Sequence, residues 1–248
     1  MNDPSQYGLL GKSLGHSFSK EYFDQKFREL NLNANYANYE LDSIGELGKL
    51  LQNKPELKGL NVTIPFKEVI ISMLDDMTRE AREIGAVNVI EFRRGKLIGH
   101  NTDAPGFIKS LNNHPLKSKI NTALILGTGG ASKAICYGLR SINVNYTVVS
   151  RKPAENEISY AHLRSMDISK FDLIVHCTPI GTFPRVDDKI DLSYSDLRKE
   201  QLLYDLIYNP RETAFLKEGK VRGCHTMNGE EMLINQAELS WAIWQRSE

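Results

Sequence analysis

The chain has 248 residues, with 31 basic and 31 acidic side chains, so its formal charge is zero. That length can bury a sizeable core as one large or two modest domains, and the balance excludes the broad basic footprint that nucleic acid or an anionic membrane requires. A small-molecule partner is the expectation.

Cys136, Cys177 and Cys224 form no CxxC pair, and His16, His100 and His225 are scattered without ligand spacing, so no disulfide and no metal site is expected. The opening "MNDPSQ" is polar, and no stretch reaches the roughly 18 apolar residues of a membrane span. A reducing cytoplasm is the expected compartment.

In chain order, β-rich runs alternate with helical stretches: "QYGLLG", a helix over 17–30, "NYANYEL", a helix over 43–52, "GLNVTI" and a helix over 65–74. This alternation predicts α/β layers around a largely parallel sheet. "AVNVIEF" and "KLIGHN" flank "RRG" and predict a hairpin. A second α/β series starts at "NTALILG" and continues through "NYTVVS", "FDLIVHCT" and "LLYDLIY", which places a domain boundary just after Asp103. The last helix, over 229–246, carries Met232, Leu233, Gln236, Ala237, Ser240, Trp241 and Trp244 on one stripe. The two halves are expected to pack directly, with a cleft between them.

"TALILGTGGASKAICYGL" reads as a buried strand, a turn with Gly127, Gly129 and Gly130, and a helix from near Ala131. Such glycines let a backbone approach a pyrophosphate at a helix N-terminus, although the same pattern also serves a purely structural turn. Ser132 stands where the usual fingerprint has its third glycine. The next strand ends in Ser150, Arg151 and Lys152 rather than the carboxylate that holds NAD's ribose. That end is either a plain basic turn or a seat for the 2′-phosphate of NADP.

In "GLNVTIPFK", Pro65 marks a helix start and puts Lys67 at its third position, where the helix dipole disfavours an ammonium. Lys67 is either a surface lysine tolerating that field or a group poised for proton transfer. Asp103 in "GHNTDAPGF" is its candidate partner or an N-cap, and Ser17 and Ser19 in "GHSFSKEYF" are caps or carboxylate ligands.

Together "GHSFS", "GLNVTIPFK", "GAVN", "GHNTDAPG", "GTGGASKA", "YNPRETAF" and "NGEEMLINQA" resemble the shikimate dehydrogenase family, in order and over essentially the whole chain. The resemblance implies an N-terminal α/β substrate domain over 1–103, to which the helix over 229–248 returns, and a Rossmann-type NADP domain over 104–228. It implies NADPH-dependent, reversible reduction of 3-dehydroshikimate to shikimate, within chorismate and aromatic amino acid biosynthesis, by a monomer or homodimer. Lys67 and Asp103 match the catalytic pair. Ser17 and Ser19 match ligands of the substrate carboxylate; Thr63, Asn88, Asp103 and Gln236 match ligands of its ring hydroxyls, and Tyr208 lies beside it. Coenzyme contacts are implied for Gly127, Gly129, Gly130, Ala131, Ser150, Arg151, Thr178 and Gly229. Lys20, Val89 and His176 depart from the family's usual proline, threonine and asparagine. Two rival readings stay open: a quinate/shikimate or aminoshikimate-type dehydrogenase, and a non-catalytic dinucleotide-responsive binding protein.

Overall fold

The computed structural model describes residues 3–15 and 17–246, so His16 lies outside the described residues. The chain forms two compact units: one comprises the chain up to Thr102 and from Ala237 onward, the other Asp103–Gln236. Each has its own six-stranded sheet.

The first unit begins with β1 (Ser5–Gly11), α1 (Phe18–Glu29), β2 (Ala34–Glu40), α2 (Leu47–Asn53) and β3 (Leu57–Val62). Ser17 caps α1 by accepting from the Lys20 amide, and Phe23 and Phe27, one turn apart, bury its inner face. The helix expected over 43–52 is a 3₁₀ turn followed by α2. The one expected over 65–74 is a four-residue α3 (Phe66–Val69) that tightens into a 3₁₀ turn over Ile70–Met73. After β4 (Asp76–Met77) and α4 (Arg79–Ile84), β5 (Val89–Arg93) and β6 (Lys96–His100) form the expected hairpin. Arg94 and Gly95 turn it at φ 51° and 75°, both positive as a type I′ turn demands.

The strand order is β2-β1-β3-β5-β6-β4, parallel across β2-β1-β3 and antiparallel where β5 meets β3 and β6. Alternate residues of β1 feed opposite faces. Leu10 joins Leu60, Val62, Ile70 and Ile90, whereas Tyr7 and Leu9 join Phe23, Phe27, Trp241 and Trp244.

The second unit contains α5 (Asp103–Asn112), β7 (Thr122–Leu126), α6 (Gly130–Ser141), β8 (Asn145–Ser150), β9 (Glu157–Ser159), α7 (Tyr160–Leu163), β10 (Leu173–His176), β11 (Leu202–Asp205), α8 (Ala214–Val221) and β12 (His225–Met227). Its sheet runs β12-β11-β10-β7-β8-β9 and is parallel throughout. Both faces of β7 are covered, Leu124 and Leu126 on one and Ala123 and Ile125 on the other, which is why "TALIL" is continuously apolar.

The final helix, α9, spans Glu230–Gln245. Its first part counts with the second unit, where Met232 shares a core with Phe107 and Leu111; from Ala237 onward it counts with the first, where Trp241 and Trp244 lie against Tyr7. The sequence pattern assigns Asp103 and all of this helix to the first unit. In the structure Asp103 opens α5, whose apolar face belongs to the second core, and so counts with that unit.

Candidate active site

In the first unit the candidate residues gather beyond the C-terminal ends of β1 and β3. The chain runs from β1 to β2 on one side and back to β3 on the other, so these adjacent parallel strands flank a topological switch point, where α/β sheets bind ligands. A cavity of about 520 Å³ there is lined by Lys12, Ser13, Thr63, Ile64 and Pro65. Thr63 is held by its backbone, donating to the Leu10 carbonyl and accepting from the Phe66 amide. The Lys67 carbonyl accepts from the Val87 amide at 2.7 Å, and the Asn88 carbonyl accepts from Val62 at 2.8 Å. Thr63, Lys67 and Asn88 are thereby tied to one strand end.

Lys67 is half-buried at the second position of α3, not the third of a long helix. One α turn running into a 3₁₀ turn sums few aligned peptide dipoles, so the field argued from the sequence loses most of its magnitude. What the structure supplies instead is a fixed backbone position.

Behind this end runs a buried polar network that the sequence reading missed. Burial holds the Tyr36 phenol well above its ordinary pKa, and a hydrogen bond from Ser19 opposes this only in part. As a neutral donor, Tyr36 reaches Asn61 Oδ1 at 2.7 Å. Asn61 Nδ2 donates to Ser240 Oγ at 2.9 Å, and Ser240 lies 3.4 Å from Thr102 Oγ1. Asn88 grips Thr102 twice, from Nδ2 to Oγ1 and from the Thr102 amide to Oδ1, at 2.9 and 2.7 Å. Ser19 and Asn88 thus sit at the two ends of one chain of hydrogen bonds. The available signals were polar residues at core positions, Asn61 inside a β-branched run and Ser240 on the apolar stripe of α9.

In the second unit Asp103 is the buried first residue of α5. One turn on, a side chain at Gly106 would meet the Gln236 backbone nitrogen at 3.1 Å, so α5 and α9 approach closely and bring buried Gln236 to within about a turn of Asp103. Tyr208 is half-buried beyond β11, and the Gly229 amide donates to the neighbouring Ile207 carbonyl at 3.0 Å.

The coenzyme candidates lie along the C-terminal edge of this sheet. Gly127 ends β7 at φ 118°, which favours glycine, and a methyl there would sit 3.0 Å from Thr178 Cγ2. Ser132, buried in place of a third glycine, donates to the Gly127 carbonyl at 2.6 Å and pins the turn. Gly129 caps α6 with no side-chain bond and open space where a Cβ would be; Gly130 and Ala131 form the first turn. At the end of β8, buried Ser150 accepts from the Lys152 amide, and Arg151 is exposed. A dinucleotide fits these residues: its pyrophosphate at the uncapped end of α6, and its ribose phosphate at a strand end offering a guanidinium and no carboxylate.

Among the described residues no three His, Cys, Asp or Glu side chains gather as a metal would need, and no described helix is long and apolar enough to cross a membrane.

Six parallel strands in this order, with a glycine turn at the switch point between β7 and β10, define a Rossmann-type dinucleotide-binding protein. Residues 9–90 match the family model described as shikimate dehydrogenase substrate binding domain. A relative from Clostridium botulinum, named shikimate dehydrogenase (NADP(+)), is 37% identical over 247 residues, covering 96% of this chain and 95% of its own. The solved chorismate mutase/shikimate 5-dehydrogenase fusion protein from Clostridium acetobutylicum superposes with a TM-score of 0.89 at 34% identity, over 99% of this chain and 92% of that one. Shikimate 5-dehydrogenase from Thermus thermophilus, solved with NADP(H) and shikimate, gives 0.85 at 29% identity, over 97% and 93%. The chain belongs to the shikimate dehydrogenase family.

Proposed function

We propose that this chain is an NADP-dependent shikimate dehydrogenase that reversibly reduces 3-dehydroshikimate to shikimate in the pathway to chorismate and the aromatic amino acids. The observation that carries this reading is similarity along nearly the full length of relatives bearing that name. NADP, when bound, supplies or accepts the hydride. Lys67 gives a proton or hydrogen bond to the substrate's carbonyl oxygen as charge develops there, and Asp103 orients and tunes that lysine. Ser17 and Ser19 hold the carboxylate, Thr63, Asn88, Asp103 and Gln236 the ring hydroxyls, and Tyr208 lines the same site. Gly127, Gly129, Gly130, Ala131, Thr178 and Gly229 contact the coenzyme, with Ser150 and Arg151 at its 2′-phosphate. Three free cysteines suit a cytoplasmic enzyme, working as a monomer or homodimer on small molecules, without nucleic acid or membrane.

Positioned acid–base help is worth about 10² to 10⁴ in rate, so Lys67→Ala lowers kcat by that order and leaves KM for shikimate nearly unchanged. Steady-state kinetics that find kcat intact remove Lys67 from the mechanism. A wild-type chain that binds both ligands and oxidises no NADPH with 3-dehydroshikimate would instead be a dinucleotide-responsive binding protein.

A further inference from the structure

Beyond β10 lies a buried chain of polar side chains. Asp205, at the end of β11, is fully buried. Its Oδ2 accepts from Thr213 Oγ1 at 2.5 Å, and its Oδ1 accepts from the Ile207 amide at 3.0 Å and lies 3.1 Å from His176 Nδ1. Thr213 is itself fixed as the N-cap of α8, taking the Leu216 amide. Facing a carboxylate oxygen, Nδ1 is the donor; with a single ring proton, Nε2 then turns a lone pair toward its own partner. His176 is 1% exposed, with the Phe215 ring packed 5.4 Å away, so no water need compete for that lone pair. Its partner is Thr178 Oγ1 at 2.5 Å.

The consequence falls on Thr178, whose methyl abuts the glycine turn. With Nε2 as acceptor, its one hydroxyl hydrogen is committed to His176, and the Ile180 amide donates to the same oxygen at 3.3 Å. What remains is a single lone pair. We propose that Asp205 and His176 lock the Thr178 hydroxyl as an acceptor, so that it receives an O–H or N–H donor of the bound dinucleotide, a ribose hydroxyl or the carboxamide, and turns away phosphate oxygens. His176 is a positioning residue that acts through Thr178. The inference rests on the reading that this turn binds NADP.

Two readouts test it. In ¹⁵N-edited NMR of the intact protein, the His176 ring is protonated at Nδ1 and bare at Nε2; a proton on Nε2 overturns the proposal. The second is a double-mutant cycle on the dissociation constant of NADPH, measured by calorimetry. His176→Asn keeps a donor toward Asp205 and withdraws the acceptor from Thr178, whereas Thr178→Val removes the hydroxyl. Each weakens NADPH by about three- to tenfold, the size of one net hydrogen bond, and the double variant is no weaker than either alone. Additive losses, or unchanged affinity in His176→Asn, mean that His176 only fills space. Should that variant fail to fold, the ring spectrum of the wild type still decides. A wild type that binds no NADP(H) removes the proposed function and this inference with it; NADPH binding with either readout reversed removes this inference alone.

Discussion

Ser240 is one link of the buried network that joins Asn61 to Thr102. It is fully buried and takes a hydrogen bond from Asn61 Nδ2, which among the described residues otherwise meets the Asn88 carbonyl at 3.5 Å. Ser240→Ala strands part of a buried amide, which costs about 1–3 kcal/mol. Urea denaturation reads that loss as a lower midpoint at unchanged slope, and a wild-type midpoint would show that the network bears no weight. The strand, glycine turn and helix around Gly127, and the strand ending before Arg151, were legible from the sequence because a local rule applies there. The Ser19-to-Asn88 network was not, because Tyr36, Asn61, Thr102 and Ser240 are far apart in the chain and meet only through folding. His176 was visible as a departure from the family, but its partners Asp205 and Thr213 come from the end of another strand and the cap of a helix.

Elements read well where punctuation and periodicity agree. The β5–β6 hairpin follows from "RRG", and α9 from the spacing of its tryptophans. The segment after Pro65 read poorly: Val69, Ile70 and Ile71 are β-branched and crowd a helix, no side chain caps α3, and the backbone tightens to 3₁₀ before turning extended at Leu74. Strands of two or three residues, β4 and β9, carry too little pattern to announce themselves and exist through pairing with β6 and β8. The hairpin also carries a titrating group. His100 Nε2 lies 2.8 Å from Glu91, yet Arg93 already takes both oxygens of that carboxylate, so burial prevails and lowers the histidine's pKa. The unfolded chain then binds the proton first, and stability falls as pH drops below about 6.5. His100→Gln keeps a partner for Glu91 and removes the titration. Denaturation at roughly pH 7.5 and pH 5.5 should therefore show a smaller acid loss in the variant than in the wild type; equal losses would contradict the sign argued here.

At the scale of the molecule, alternation of β and α runs identified two α/β halves, and the glycine turn marked the second as the dinucleotide unit. Strand order was not legible, since it depends on which side of the first strand each crossover packs. That order matters because it places both switch points, and in the second unit the coenzyme candidates lie along the C-terminal edge of parallel strands. The most direct test is steady-state oxidation of shikimate and of quinate, each with NADP and with NAD, followed by nicotinamide absorbance. The expected outcome is the highest kcat/KM for shikimate with NADP, because Arg151 and the missing carboxylate disfavour NAD. Faster turnover of quinate, or preference for NAD, would contradict it.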